Sequence, residues 1–131
     1  MKFIFVILMV SLSVGCTTNQ YNDEEMYDLA SELKDLSQTV DGYLKFSDME
    51  FKDSAELLDL VSKEYPNKVD DFVGYDIKVD IQSDNAVLLL CDEDIALIED
   101  VGCNAKVDQI LWKNIQRNSC EFKIEASKIC N

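Results

Sequence analysis

Six consecutive apolar residues, AVLLLC from Ala86 to Cys91, constrain this chain more than any other stretch. A strand that alternates apolar and polar residues keeps one wet face, whereas one that is apolar at every position must be central and covered on both sides. Ser83-Asp84-Asn85 before the run and Asp92-Glu93-Asp94 after it are made of turn-forming residues. Upstream, Tyr75, Ile77, Val79 and Ile81 alternate with Asp76, Lys78, Asp80 and Gln82, the pattern of a strand with one solvated face. Downstream, Ile95 to Val101 runs back. Three strands joined by short turns make an antiparallel meander, and Glu121 to Ala126 is expected to close it as a fourth. Between the third and fourth strands, Lys106 to Arg117 returns to helical spacing with Val107, Ile110, Leu111 and Ile115.

Before the meander the period is that of helices. Asn22 with Glu25, framed by Tyr21 and Met26, has the form of a capping box with a hydrophobic staple; Ser47 with Glu50, framed by Phe46 and Phe51, repeats it. Met26, Leu29, Leu33, Leu36, Val40 and Tyr43 follow one another in steps of three and four, and Gly42 is the expected stop. The second helix carries Phe51, Ala55, Leu58 and Val61 and must end by Tyr65, ahead of Pro66. The first stripe is too short for a free-standing coiled coil, so it is expected to cover a sheet face in its own domain. The fold class is therefore α+β: two N-terminal helices packed on an antiparallel meander of about four strands, with a short helix between strands 3 and 4.

The N-terminus carries an address. The apolar run Phe3 to Val14, broken only by Ser11 and Ser13, would reach roughly 18 Å as a helix. That is too short for a bilayer core of about 30 Å. Lys2, the apolar run and small residues before a cleavage point match a secretory signal. Its last residues, Leu12-Ser13-Val14-Gly15-Cys16, resemble the lipobox of bacterial lipoproteins, with Ser13 where Leu is commoner. The resemblance covers the signal alone and implies cleavage before Cys16, a diacylglyceryl group on the Cys16 sulfur and acylation of the new amine. Residues 1–15 are then the signal peptide, 16–25 a lipidated tether and 26–131 a single periplasmic domain. If flexible, the first six residues of the tether span about 13 Å. By the same resemblance, Thr17 in place of Asp after the lipidated Cys points to the outer membrane, with the domain facing the periplasm.

Charge narrows the partners. The chain has 12 basic and 26 acidic residues, net −14, and loss of Lys2 with the signal takes the balance to −15. Such a charge repels phosphate backbones and anionic headgroups, so no nucleic acid partner is expected and the lipid on Cys16 must hold the membrane. Two or three acyl chains give a stable anchor where one gives a marginal one.

There are five cysteines and no histidine. With Cys16 assigned to lipid, Cys91, Cys103, Cys120 and Cys130 remain, an even number in an exported, disulfide-permitting setting. No CxxC pair exists, so zinc is not expected, nor any other metal or cofactor. The meander suggests Cys103-Cys120 across the base of the connector and Cys91-Cys130 nested around it, although a Cys91 to Cys130 bridge would cross two strand spacings.

No catalytic set emerges. The chain lacks a His base, a Gly-rich phosphate loop and a GxSxG elbow. Asp92, Glu93, Asp94, Glu99 and Asp100 are the one enzymatic hint in a chain rich in acids, and turns with solvated strand ends explain them better than a calcium loop or a carboxylate pair. Trp112, beside Lys106, Lys113 and Arg117 in an otherwise acidic chain, sits toward the edge of the apolar helical face, where it either covers the core edge or serves as an interface anchor, and it is the interface candidate. The expectation is a small acidic envelope lipoprotein, non-enzymatic, with a binding or assembly-accessory role toward an envelope protein partner of basic or mixed charge. The alternative is an inhibitor or scavenger of a cationic target such as a lysozyme-like hydrolase.

Overall fold

The structure is a computed structural model that describes residues 22–51, 53–106, 109–110 (backbone alone) and 119–130. It is α+β, helices followed by a three-stranded antiparallel sheet. Helix α1 spans Asp23–Phe46 and α2 spans Ser54–Glu64; two 3₁₀ turns, Pro66–Lys68 and Asp70–Phe72, lead into the sheet. Its strands are β1 (Asp76–Gln82), β2 (Asn85–Asp92) and β3 (Ile95–Val101), with Gln109–Ile110 adding a two-residue rung, β4, outside β3.

The helix ends have local causes. Asn22 Oδ1 accepts the Glu24 N–H at 3.0 Å and starts α1. Gly42 does not stop it: nothing lies within 4 Å of where a Cβ would be, and the helix runs on for another turn to Phe46. The second helix starts later than Ser47 and Glu50 suggest. Asp53 is its N-cap, with Oδ1 accepting the Glu56 N–H at 2.8 Å, so the D-x-x-E spacing of Asp53 and Glu56 prevails over the upstream box. Before Pro66 it stops as expected, at Glu64.

Register follows from two tight turns. Gln82 pairs with Asn85 around Ser83-Asp84, and Asp92 with Ile95 around Glu93-Asp94. Ser83 and Glu93 take positive φ, 58° and 51°, as the first residue of such a turn does in its usual geometry.

Strand β2 is buried on both faces, from Ala86 through Cys91. Ala86, Leu88 and Leu90 meet Leu33, Leu36 and Val40 of α1 and Leu57 and Val61 of α2 on one side. Val87, Leu89 and Cys91 face the other way, against Phe122, Ile124 and Ala126. That second cover is a segment running from Cys120 to Cys130, ending in the single turn α3 (Ala126–Ile129).

Two expectations about this C-terminal stretch are corrected. Glu121 to Ala126 is not a fourth strand; it crosses the sheet as an irregular strap, because the side chain of Glu99 takes up its Lys123 and Ile124 N–H groups at 2.8 and 2.7 Å and leaves them none for a ladder. Over Lys106 to Arg117, Gln109–Ile110 pairs with β3 as strand and not helix, the remaining core positions Val107, Leu111 and Ile115 lying outside the described residues.

The disulfides are corrected with it. Cys91 joins Cys120 and Cys103 joins Cys130, with Cα–Cα distances of 5.9 and 5.8 Å. Because the strap runs antiparallel to β2 across the sheet face, Cys120 arrives at the end of β2 that carries Cys91. Cys130 arrives at the opposite end, beside Cys103. The proposed Cys103-Cys120 and Cys91-Cys130 pairs would each have required the last segment to be a strand of the meander.

Candidate functional site

Two of the carboxylates that could carry chemistry are used structurally on β3. Glu99 and Asp100 are 1 % and 0 % exposed, not solvated strand ends, and as sequence neighbours on a strand they point to opposite faces. Glu99 holds the strap. Asp100 forms an ion pair with Lys34 of α1 and accepts from Ser37 Oγ at 3.2 Å. Lys34 Nζ also donates to the Val101 carbonyl at 2.7 Å. Asp41 completes the seam between α1 and the sheet, accepting the Ala86 N–H at 3.0 Å and the Lys45 ammonium at 2.8 Å. Each of these acids fixes one layer to another.

Asp92, Glu93 and Asp94 stay at the surface around the two-residue β2–β3 turn, not on a protruding loop. Among the described residues, no group of three or more His, Cys, Asp or Glu is placed to hold a metal ion. Cys16 and Trp112 lie outside the described residues.

Two surface features remain. At the C-terminal end of α1, past the buried part of its apolar stripe, Tyr43, Phe46 and Tyr65 line an open cleft of about 430 Å³. Phe46 is 86 % exposed, and the Tyr43 and Tyr65 rings meet edge to face at 6.1 Å. The hydrogen bond from Tyr43 to Glu64 pushes the phenol pKa well above its ordinary value, with burial adding to it.

The second feature is a groove of about 650 Å³ along β1. Helix α2 forms one wall with Ala55 and Leu58, Phe122 of the strap contributes to the other, and Ile77 and Val79 supply the floor. Asp53 and Asp59 stand on the α2 side. Lys63 pairs with Asp59 at 2.8 Å, and this hydrogen bond raises the lysine pKa. On the strap side, Lys78 Nζ donates to the Cys120 carbonyl at 3.1 Å, tying the edge strand to the last segment. The groove is apolar along its walls and acidic on its α2 rim.

This groove is absent from the sequence-based expectations. One signal was there: the first strand of a meander is an edge strand unless a later segment returns to it, and here none of the described segments does. Its outer wall could not be foreseen, because it depends on the strap.

Comparison with protein-family models, with curated proteins and with solved structures gives no match for the chain.

Proposed function

We propose that this chain is a lipid-anchored binding domain of the bacterial cell envelope, held at the membrane through Cys16 and acting by contact with a protein of basic or mixed charge. The observation that carries the anchoring is the fate of the cysteines. Four of the five close two disulfides with one another, and the fifth, Cys16, follows Val14-Gly15 in the lipobox-like signal. A spare thiol in an oxidising compartment invites mispairing, and acylation removes it.

The site chemistry supports contact over catalysis. Glu99, Asp100 and Asp41, the buried carboxylates among the described residues, serve as layer-to-layer fasteners. A −15 domain on a tether of about 13 Å draws in cationic surfaces near the membrane, an attraction screened beyond about 8 Å at physiological salt. Charge then speeds encounter, and apolar grooves supply the lasting affinity. The outer membrane, periplasmic face, is the proposed home.

Mass spectrometry of the native protein tests the anchor: residues 1–15 should be missing and acyl mass should sit on Cys16. Cys16→Ser should move the domain from the membrane to the soluble fraction, and unchanged fractionation would rule the anchor out. Crosslinking in intact envelopes should capture a protein partner whose association slows as salt rises, with Trp112→Ala speeding its release. Turnover of an envelope substrate by the purified protein, lost on Asp92→Asn or Asp94→Asn, would replace the binding role with an enzymatic one.

A further inference from the structure

The groove beside β1 has more than apolar walls. Strand β1 is the first in the sheet order β1-β2-β3-β4 and, among the described residues, has a sheet neighbour on one side alone. Its turn to β2 is two residues long, so the closing pair Gln82–Asn85 exchanges both main-chain hydrogen bonds. The alternation then assigns Asp80, Lys78 and Asp76 to the β2 ladder. The N–H and C=O groups of Ile77 and Val79 point outward, and these are the residues that floor the groove. A free main-chain edge lying between two apolar walls is what an incoming strand needs: main-chain bonds from the edge, with side chains directed alternately to either wall.

From this we infer that the edge of β1 receives an extended, basic segment of a partner protein as an added strand, held by the main chain of Ile77 and Val79 and packed between Leu58 and Phe122. The inference rests on the binding role proposed above and names its site. Charge selects the occupant. Asp53 and Asp59 border the groove on α2, Asp59 already pairing with Lys63; Asp76 lies exposed at the start of the strand, Lys78 in the lining is engaged by the Cys120 carbonyl, and the chain as a whole carries −14. Alternating apolar and cationic residues would lay the apolar side chains against the Phe122 wall and turn the cations toward Asp53 and Asp59, their aliphatic stems passing over Leu58. A second copy of this chain is a poor occupant, because pairing β1 with β1 would bring two strongly acidic domains and two sets of Asp76 and Asp80 together.

The test uses the intact disulfide-bonded chain in detergent micelles and the synthetic peptide acetyl-(Lys-Val)4-amide, followed by NMR. Expected are saturable shifts at Ile77 and Val79 and slowed exchange of their amide protons. A peptide N-methylated at alternate residues keeps every side chain but lacks the donors, and it should bind about tenfold more weakly or worse, the loss of two or so net hydrogen bonds. In the protein, Val79→Pro removes one outward N–H while leaving the β2 ladder intact, since proline is accepted at such an edge position, and it should weaken binding comparably. The (Glu-Val)4 peptide should not compete.

Equal binding of the methylated peptide, shifts confined to the Tyr43–Phe46–Tyr65 cleft, or β1-mediated dimerisation would each overturn strand addition. Capture of an envelope partner by crosslinking is independent of these peptides, so strand addition can fail while the binding role stands. The absence of any captured partner would sink the role itself.

Discussion

At β2 and β3 the two faces of the sheet are both dry, and they are held by different means. On one, α1 and α2 bury a continuous cluster that includes Met26, Leu33, Leu36, Val40, Leu57 and Val61 against Leu88 and Leu90. Helical backbone satisfies its own polar groups, so this cover is stabilised mainly by apolar area. On the other, the strap brings Phe122, Ile124 and Ala126 against Val87 and Leu89 with little regular structure. Its backbone polar groups must find partners one at a time, in Glu99, Gln82 and Lys78. Disulfides at both ends supply what the smaller contact cannot. Strand β3 serves both covers with adjacent residues, Asp100 for the helices and Glu99 for the strap.

Removing the disulfides should break the comparison open with the largest effect. Sequence separations of 29 and 27 residues correspond to about 3.5 kcal/mol each by loop entropy, less than twice that together because the loops overlap. In a chain with all four cysteines changed to Ala, amide exchange at Lys123 and Ile124 should become fast while Leu33 and Leu36 in α1 stay protected. Equal loss of protection on both faces would mean that the strap supports the helical layer as well.

How much of this was legible follows the same division. The helix-covered face could be read from residue spacing: Met26, Leu29, Leu33, Leu36 and Val40 are all buried, β2 is dry from Ala86 to Cys91, and both hairpin turns fall where Ser83-Asp84 and Glu93-Asp94 place them. Periodicity reports elements that satisfy their backbone locally. The strap does not, and EFKIEA looks like a strand because Phe122 and Ile124 alternate toward the sheet, while the decisive partner of its N–H groups is the side chain of Glu99, 24 and 25 residues away. No pattern in the sequence announces that a charged residue will be buried to cap a distant backbone. The same blind spot misplaced the cysteine pairs and hid the groove beside β1.

The next effect concerns the helical face. Lys34→Met keeps the aliphatic stem but leaves Asp100 buried without its cation, and breaking such a pair costs roughly 3 kcal/mol or more. Urea unfolding should show that loss, and adding Asp100→Leu should recover most of it, since replacing both charges by apolar groups is often neutral. If the double variant stays as unstable as the single, Asp100 contributes through Ser37 or the backbone and not through Lys34.

Two glycines give a paired, smaller test. At Gly102 a Cβ would sit 2.2 Å from the Ser37 carbonyl oxygen and 2.5 Å from the Asp41 Cβ, so backbone, not a side-chain tip, would have to move. Gly102→Ala should cost about 1–3 kcal/mol by forcing α1 away from the end of β3. Gly42, on the same helix, has open space around it, and Gly42→Ala should stabilise by about 0.5–1 kcal/mol through helix propensity. Thermal melts that moved in the same direction for both would show that α1 does not sit against Gly102 as described.

The smallest effect lies where the two faces share an element. Glu93 takes φ 51° in the β2–β3 turn, a conformation that costs a side-chain-bearing residue about 1 kcal/mol or more, and its side chain is exposed. Glycine would remove that strain and lose part of the gain to its greater freedom in the unfolded chain. Glu93→Gly should therefore stabilise by about 0.5 kcal/mol, a rise of a few degrees in Tm for a domain of this size. The turn belongs to the sheet and not to either cover, so the gain should be the same with the disulfides present or absent. A gain confined to the disulfide-bonded protein would mean that the Cys91–Cys120 bridge, two residues from Glu93, imposes the turn conformation, and that the strap shapes the sheet it covers.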